Sequence, residues 1–308
     1  MPKKLCLAIV GPTASGKTGF AIELAKRVGG EIVCVDSTTV YKGFDIGTSK
    51  PTAQQQQQVP HHLLDILDPD DAFNASDFVA RARKHMEEIS SRGKIPLLVG
   101  GSYFYLRALQ QGMYPTGGYD DSTLESLTDE YSTDAGLDKA KLHEALSKAD
   151  PAAAAALHPN DSYRVLRALA LTRQGVKPSE LKPSQGMEDG WLWMKYAMAV
   201  SRKRLETHIA ERTNTMVRSG LAEEVRGLQA KHPKAKALGS IGYAETARFL
   251  KKEISEETWI TEINQNTRRL LKRQTTWLRS DEEIRYVDAR DVDRVELEIR
   301  NLQSVLGS

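Results

Sequence analysis

A glycine-rich segment close to the start of the chain constrains its fold more than any other feature. The sequence GPTASGKT at 11–18 follows an apolar run, LCLAIV at 5–10, and precedes a segment at 19–28 whose apolar residues have helical spacing. A strand, a loop of this pattern and a helix together form a P-loop, in which backbone N–H groups point at an anion at the helix N-terminus. The pattern therefore predicts an α/β fold with a site for phosphate groups.

The residue types of this loop suit a chain of phosphate groups. Its glycines permit a tight turn, the ammonium of Lys17 can contact phosphate oxygens, and the hydroxyl of Thr18 can bind Mg²⁺. A P-loop alone is also typical of small-molecule kinases. The residues expected to contact the phosphate groups are Gly11, Thr13, Ala14, Ser15, Gly16, Lys17 and Thr18.

Strands and helices alternate in the next part of the chain. Apolar runs at 31–35 and 95–99 predict two more strands, and the segment 76–92 is predicted to be an amphipathic helix with Ser76 as its N-cap. This alternation is typical of a parallel sheet, whose ligand lies beyond the carboxyl ends of the strands.

The pattern changes at a turn-rich segment, PTGGYDDS at 115–122. Residues 122–175 have helical periodicity and no convincing strand, whereas 192–200 predicts a strand that returns to the sheet. Further helices are predicted at 202–218, 220–231, 241–252 and 256–279, before a candidate last strand at 284–287.

These elements predict an α/β fold with a P-loop NTPase-like parallel sheet flanked by helices and a helical insertion domain. We expect residues 1–115 to form the first part of the core. Residues 116–190 are expected to form the insertion, and 191–308 the rest of the core with C-terminal helices.

Charge and composition narrow the classes of protein. The chain has 43 basic and 41 acidic residues, so any nucleic-acid surface must be a local patch. It lacks a run of roughly 18 apolar residues, the length of a membrane-spanning helix. Cys6 and Cys34 lie in predicted buried strands and are too few for a disulfide framework. We expect a cytoplasmic protein that does not bind membranes.

Two polar residues follow predicted strands. Asp36 comes directly after 31–35, and Ser102 follows the two glycines after 95–99. Because the carboxyl ends of parallel strands meet at one edge of a sheet, both residues should face the same cavity as the phosphate loop. Asp36 suits a general base, with Ser102 as a hydrogen-bonding neighbour. The alternatives are a metal ligand or an N-cap for Asp36 and a turn residue for Ser102.

Seven segments, in order along the chain, resemble those of one known family. They are GPTASGKT at 11–18, DSTTVYKGFDIGTSKP at 36–51, PHHLLDI at 60–66, LLVGGSYFYLRAL at 97–109, HPNDSYRVLRAL at 158–169, SIGYAE at 240–245 and KRQTTWLR at 272–279. The family is that of the bacterial tRNA dimethylallyltransferases, also called tRNA isopentenyltransferases. The resemblance runs from residue 9 to about residue 280.

The resemblance implies transfer of a dimethylallyl group from dimethylallyl diphosphate to the exocyclic amine of the adenosine immediately 3′ of the anticodon. The phosphate loop would then hold the departing diphosphate, with Mg²⁺ on Thr18. The implied catalytic residues are Asp36, Ser102 and Lys17; Ser102 stands where the family usually has threonine. The implied partners are dimethylallyl diphosphate and the anticodon stem-loop of tRNA, and we expect a monomer.

The resemblance also implies that the insertion at 116–190 and the C-terminal helices within 191–308 bind tRNA. Arg164 and Arg167 share one helix face, and basic residues recur at helical spacing in 267–279. A solvated face is the alternative for the arginines, and a core position for Trp277. The implied contacts are Asp36, Ser37, Thr38, Thr39, Ser102, Tyr163, Arg164, Val165, Leu166, Arg167, Gly239, Ser240, Ile241, Gly242, Tyr243, Ala244, Lys272, Arg273, Gln274, Trp277 and Arg279.

The chain departs from the family pattern at two of its tRNA-facing positions. Leu124 stands where the family often has arginine, and Thr39 stands where glutamine is common. These departures bear on the contacts with tRNA and leave the implied reaction unchanged.

Two other functions compete with this one. An adenylate isopentenyltransferase would use free AMP, but it would need neither the helical insertion nor the basic segment at 268–279. A P-loop kinase, or a nucleotide-dependent RNA-binding module without catalysis, would also use the loop. Against a kinase, the strand at 95–99 runs into LLVGGS without a metal-binding carboxylate.

Overall fold

The computed structural model describes residues 3–113, 121–134, 136–182, 184, 186–187 and 190–306. The chain divides into two compact units, one formed by Met1–Gln111 with Gly186–Ser308 and the other by Gly112–Gln185. Most of the predicted linker at 115–122 lies outside the described residues.

The strands of the larger unit form one parallel sheet. In chain order the described strands are β1 (Lys4–Val10), β2 (Gly30–Val35), β3 (His61–His62), β4 (Ile95–Gly100), β5 (Ser132–Thr133), β6 (Gly136–Leu137), β7 (Trp191–Met198) and β8 (Ile284–Val287). Six of them are ordered β3–β2–β4–β1–β7–β8 across the sheet, while β5 and β6 form a separate pair in the smaller unit. The predicted parallel sheet is confirmed, and the two-residue β3 is an edge strand that the sequence did not predict.

The register of the sheet aligns the ends of the central strands. Gly100, the last residue of β4, pairs with Val10 of β1 on one side and with Val35 of β2 on the other. Val10 also pairs with Ala197 of β7. The residues that follow β1, β2 and β4 are therefore neighbours at one edge of the sheet.

The helices surround this sheet and fill the smaller unit. They are α1 (Lys17–Val28), α2 (Ala53–Gln56), α3 (Ala75–Ser91), α4 (Tyr103–Gln111), α5 (Asp121–Glu130), α6 (Lys139–Ala149), α7 (Pro151–Ala156), α8 (Ser162–Arg173), α9 (Arg202–Arg218), α10 (Leu221–Lys231), α11 (Tyr243–Leu250), α12 (Glu256–Arg279) and α13 (Val292–Leu306). Helices α4 and α13 were not predicted. Val292, Val295 and Ile299 give α13 a buried stripe, and this stripe packs with α1.

The predicted N-cap of α3 is wrong by two residues. The cap is Asn74, whose Oδ1 accepts hydrogen bonds from the N–H groups of Ser76 and Asp77 at 2.8 and 3.2 Å. The carboxylate of Asp77 accepts in return from the N–H of Asn74 at 3.0 Å. This reciprocal capping box satisfies more helix donors than a cap at Ser76 would, so the helix begins earlier.

Two large apolar clusters of described residues stabilise the larger unit, beside a smaller one of Leu205, Ile209 and Leu271. One packs α1 and α13 against the sheet through residues such as Leu7, Leu24 and Leu97. The other joins the segment 40–44 to helices α9–α12 around Phe44 and Tyr243. None of the described helices combines the length and the apolar character needed to cross a membrane.

The smaller unit has a core of its own. Leu127 of α5, Leu142 and Leu146 of α6, and Val165 of α8 are fully buried together. Leu124, the position where the resembling family often has arginine, packs against this core. No convincing strand was predicted here, and the observed β5 and β6 are short enough to escape detection by periodicity.

Candidate active site

A cavity of about 780 Å³ opens at the carboxyl edge of β1, β2 and β4. Its lining comes from the phosphate loop, the segments that follow β2 and β4, and helices α9 and α12. All of these belong to the larger unit. Asp36, Ser102, Lys17 and Thr18 line the same cavity, because the register of the sheet brings the ends of their strands together.

The phosphate loop is shaped as an anion site. Gly16 caps α1 in the left-handed conformation with φ 83°, and Ala14 has φ 62°, which is uncommon for a residue with a side chain. Within the described chain, the N–H groups of residues 14–16 have no hydrogen-bond acceptor, and the buried hydroxyl of Ser15 has no partner. Consecutive free donors at a helix N-terminus favour an anionic ligand.

Two cations lie beside this loop. Lys17 Nζ donates to the carbonyl of Pro12 at 3.3 Å. Arg212, on α9, donates to the hydroxyl of Thr13 and to the carbonyl of Thr48 at 3.3 Å. Desolvation, with the nearby charge of Arg212, lowers the pKa of Lys17 to about 8, and burial also lowers the pKa of Arg212. The charge of Asp36 offsets this desolvation only in part, so an anionic ligand beside the two cations would be favoured.

Arg212 was not predicted from the sequence, although a signal for it exists. Leu205, Ile209, Thr213 and Met216 form the buried stripe of α9, and Arg212 follows Leu205 by seven residues on that stripe. A charged residue within an apolar helix face is rarely buried without a partner. That position marks Arg212 as a candidate site residue.

Asp36 presents one carboxylate oxygen to the protein and one to the cavity. Its Oδ1 accepts from the N–H of Thr38 at 2.8 Å, from the hydroxyl of Thr38 at 2.7 Å and from the N–H of Thr39 at 3.2 Å. Among the described residues, none donates a hydrogen bond to Oδ2. The carboxylate is therefore held in place by Oδ1 while Oδ2 is left for a ligand.

The turn after β4 places Ser102 beside the end of β2, which Asp36 follows. Ser102 donates its N–H to the carbonyl of Val35 at 3.3 Å, so the turn is tied to the end of β2. A Cβ on Gly100 would lie 2.0 Å from that same carbonyl oxygen, which explains the glycine at this position. The pair of strand ends thus holds Asp36 and Ser102 on one wall of the cavity.

Comparison with known proteins identifies the family. The model of the IPP transferase family matches residues 39–281. The tRNA dimethylallyltransferase of Geobacter metallireducens is 44% identical over 93% of this chain and 93% of its own length. The corresponding enzyme of Geobacter sulfurreducens is 42% identical over 93% of this chain and 92% of its own length. The chain belongs to the IPP transferase family.

Solved structures agree with this assignment. The tRNA isopentenylpyrophosphate transferase of Bacillus halodurans matches 99% of this chain and 96% of its own, with a TM-score of 0.70 and 35% identity. A eukaryotic dimethylallyltransferase acting on tRNA matches 93% of this chain and 74% of its own, with a TM-score of 0.76 and 27% identity.

In this member of the IPP transferase family, most of the residues predicted to contact tRNA in the larger unit surround the same cavity. Arg273 and Trp277 of α12 belong both to its rim and to an adjoining depression that includes Lys272 and Arg269. Arg279 is exposed but lines neither. The predicted residues that line the cavity are Asp36, Ser37, Thr38, Thr39, Ser102, Gly239, Ser240, Ile241, Gly242, Arg273, Gln274 and Trp277.

The side chains of two predicted contact residues are buried instead. Tyr243 is fully buried, and its hydroxyl donates to Glu224 at 2.7 Å. Val165 is fully buried in the core of the smaller unit. Both predictions treated every residue of a motif as a tRNA contact. In a helix, however, some residues of the motif face the protein core. Ala244 is partly buried and does not line the cavity.

On α8, two side chains of the predicted contact stretch, Tyr163 and Arg167, interact with each other. Arg167 donates to the hydroxyl of Tyr163 at 3.0 Å and lies over its ring at 5.5 Å. Arg164 pairs with Asp161 at 3.4 Å, and Leu166 packs against the core of the unit. Tyr163 is 65% exposed, so this face presents an aromatic ring beside two guanidinium groups.

Three aromatic residues that line the cavity were not predicted as site residues from the sequence: Tyr103, Phe104 and Tyr105. Phe104, in the first turn of α4, is 52% exposed and lines the cavity. Trp277 itself is partly buried, with Arg107 over its ring at 5.9 Å. An exposed Phe at a cavity edge is the signal that identifies such a residue, and exposure is visible only in the structure.

Proposed function

We propose that this chain transfers a dimethylallyl group from dimethylallyl diphosphate to the exocyclic amine of the adenosine 3′-adjacent to the anticodon of tRNA, with release of diphosphate. The observation that carries the proposal is the shared cavity, in which a phosphate loop with two flanking cations faces a carboxylate with one free oxygen. Family membership supplies the reaction class, since the relatives are tRNA dimethylallyltransferases.

The diphosphate of the donor would occupy the phosphate loop. The free N–H groups of residues 14–16 and the unpartnered hydroxyl of Ser15 supply hydrogen-bond donors, and Lys17 and Arg212 supply positive charge. Negative charge increases on the diphosphate as the bond between the allylic carbon and oxygen breaks. Donors that are already oriented toward it stabilise that charge without reorganisation.

The residues at the loop are compatible with one Mg²⁺ ion. Thr18 lines the cavity at the start of α1, and within the described chain its hydroxyl has no hydrogen-bond partner. Mg²⁺ keeps several waters and is often bound through one or two protein oxygens together with substrate phosphates. Thr18 and the diphosphate would hold the ion, which when bound neutralises charge on the leaving group.

The acceptor amine would approach from the side of Asp36 and Ser102. The amine nitrogen attacks the allylic carbon, and the electron pair of the breaking carbon–oxygen bond leaves with the diphosphate. The amine then carries a positive charge and must lose a proton, which Oδ2 of Asp36 accepts. Because three hydrogen bonds hold Oδ1, Oδ2 is oriented without the entropic cost of ordering the carboxylate.

The apolar part of the cavity suits the five-carbon group. Ile32, Cys34 and Val99 contribute to its lining. Burial and the negative charge of Asp36 raise the pKa of Cys34 to about 12. The side chain therefore stays a thiol near neutral pH, which prevents it from competing with the amine for the allylic carbon.

The basic face of α12 would bind the tRNA backbone. Lys272 is exposed, and Arg269 and Arg273 line the depression beside it, with Trp277 at the edge of the cavity. Contacts from lysine and arginine to phosphates supply affinity, whereas the aromatic rings of Phe104 and Trp277 can stack on an unpaired base. We propose the same role for Arg164 and Arg167 of α8.

The test is incubation of the protein with labelled dimethylallyl diphosphate and Mg²⁺, with either unmodified tRNA or AMP. We expect label in the tRNA alone. A tRNA with guanosine in place of the target adenosine is the matched control, because guanine has no exocyclic amine at that ring position. Label in this control would mean that another nucleotide is the acceptor.

The competing functions give different outcomes in the same assay. Label in AMP and not in tRNA would contradict the proposal and indicate an adenylate isopentenyltransferase. ATP hydrolysis or phosphate transfer without prenyl transfer would indicate a kinase or a nucleotide-dependent binding module.

A further inference from the structure

Gln274 connects two parts of the cavity that lie far apart in sequence. Its Oε1 accepts a hydrogen bond from the N–H of Thr13 at 3.0 Å, and its Nε2 donates to the carbonyl of Gly101 at 3.0 Å. Thr13 belongs to the phosphate loop, and Gly101 directly precedes Ser102. One amide side chain from α12 therefore joins the expected donor site to the expected acceptor site.

The glycine at 101 supports the importance of this contact. A Cβ at that position would lie 2.5 Å from Nε2 of Gln274, closer than real Cβ atoms approach another heavy atom, and 3.5 Å from the carbonyl oxygen of Gly11. The backbone at Gly101 has no positive φ that would demand glycine. A larger residue at 101 would have to displace the amide of Gln274 from its hydrogen bonds, whereas one at 100 would meet the backbone carbonyl of Val35.

Thr13 is held on two sides. Gln274 binds its N–H, while Arg212 binds its hydroxyl. The N–H of Thr13 is therefore used within the protein, unlike those of residues 14–16, which have no acceptor in the described chain. Gln274 therefore fixes the backbone of the phosphate loop at Thr13, while the N–H groups of residues 14–16 stay available to a ligand.

We propose that Gln274 is a positioning residue that sets the distance between the phosphate loop and the turn that carries Ser102, and that it couples both to α12. This inference rests on the proposed function. It replaces the sequence-based expectation that Gln274 serves as a contact for tRNA. Its neighbours Lys272 and Arg273 line the depression that adjoins the cavity. A nucleic acid bound there would contact the helix whose Gln274 joins the two expected substrate sites.

An amide is the side chain that this position requires. Thr13 offers a donor and Gly101 an acceptor, so the bridging group must accept and donate at once, which glutamine does. A glutamate would keep the bond from Thr13 but would face the carbonyl of Gly101 with a second acceptor. It would also add negative charge beside a diphosphate site.

The first experiment compares Gln274→Ala and Gln274→Glu with the wild type by single-turnover kinetics and tRNA binding. Displacement of one substrate site relative to the other costs rate, on the order of 10- to 100-fold. We expect a loss of that size in the transfer rate at saturating tRNA, with tRNA affinity changed less than about twofold. Lys272→Ala is the control for a phosphate contact, and its effect should appear as weakened tRNA binding that depends on salt.

The second experiment combines Gln274→Ala with Gly101→Ala. Gly101→Ala alone should lower the transfer rate, because the new methyl group displaces the glutamine side chain. In the double variant that side chain is absent, so the rate should equal that of Gln274→Ala alone. A rate loss equal to the product of the two single losses would contradict the coupling.

Other results would also overturn the inference. If Gln274→Ala weakened tRNA binding and kept the rate at saturating tRNA, Gln274 would be a tRNA contact. Thermal unfolding of each variant shows whether it is folded, and Gln274→Glu, which keeps the bond from Thr13, serves if Gln274→Ala does not fold. Absence of transfer by the wild type would instead contradict the proposed function.

Discussion

Arg212 donates a hydrogen bond to the hydroxyl of Thr13, so a buried cation of α9 contacts the third residue of the phosphate loop. The two residues are 199 positions apart in the chain. The proposed anion site would therefore be assembled from the loop and from a helix of the second half of the chain. Lys17 alone would leave one side of that site without a charge.

Replacement of Arg212 should therefore weaken donor binding. Hydrogen bonds to charged groups contribute about 1.5–3 kcal/mol, so Arg212→Ala should raise the dissociation constant of dimethylallyl diphosphate roughly 10- to 100-fold. Arg212→Lys should recover part of this loss, since lysine keeps the charge but cannot span both Thr13 and Thr48. Isothermal titration with the donor measures both.

Arg202→Ala is the matched control for Arg212. Arg202 lies at the start of the same helix, its side chain is 88% exposed, and it pairs with Glu206 at 2.8 Å. Donor affinity should be unchanged in this variant. Equal losses of donor affinity in both variants would mean that the effect comes from the positive charge of α9 and not from the contact of Arg212 with the loop.

The carboxylate of Asp36 should be needed for turnover but not for folding or binding. In Asp36→Asn the side-chain oxygen can still accept from the N–H groups of Thr38 and Thr39, so the local turn is preserved. The amide cannot accept the proton from the attacking amine. General base catalysis contributes roughly 10²–10⁴-fold, and we expect a loss of that size in the transfer rate. A rate within threefold of wild type would remove Asp36 as the base.

Donor binding should weaken as the pH rises through 8. The pKa of Lys17 is lowered to about 8 by desolvation and by Arg212, so the unliganded protein loses this charge between about pH 7 and pH 9. The diphosphate favours the protonated lysine, so the dissociation constant of the donor should rise above pH 8. The rise can reach about tenfold per pH unit.

Lys17→Arg tests the origin of this pH dependence. Arginine keeps its charge throughout the range, so the variant should bind the donor with an affinity that does not change between pH 7 and pH 9. Retention of the wild-type slope in the variant would assign the titration to another group.

The parts of the site that the sequence predicted are those set by strand ends. Gly11, Asp36 and Ser102 each follow a strand, and the parallel sheet brings such positions to one edge whatever the register. The P-loop is similarly local, since its strand, turn and helix are consecutive in the chain. These features depend on short-range patterns, which a single sequence contains.

The parts that the sequence did not predict depend on packing between distant elements. Arg212 and Gln274 reach Thr13 from α9 and α12, 199 and 261 residues further along the chain. Val165 and Tyr243 were expected to contact tRNA because they lie within motifs, yet their side chains point inward. Which face of a helix is buried is decided by what packs on it.

Replacement by alanine should change stability in opposite directions at Gly100, the last residue of β4, and at Gly227 in α10. Gly100 pairs with strands on both sides, and an alanine Cβ there would lie 2.0 Å from the carbonyl oxygen of Val35. Gly227 lies in the interior of α10, is exposed, and has no atom within 4 Å of its Cβ position. Gly100→Ala should lower the free energy of unfolding by about 2 kcal/mol or more, because the rigid backbone must shift. Gly227→Ala should raise it by about 0.5–1 kcal/mol, since alanine loses less backbone entropy in a helix. Urea unfolding of the two variants measures both changes, and a Gly100→Ala protein as stable as wild type would contradict the close packing of β2 against β4.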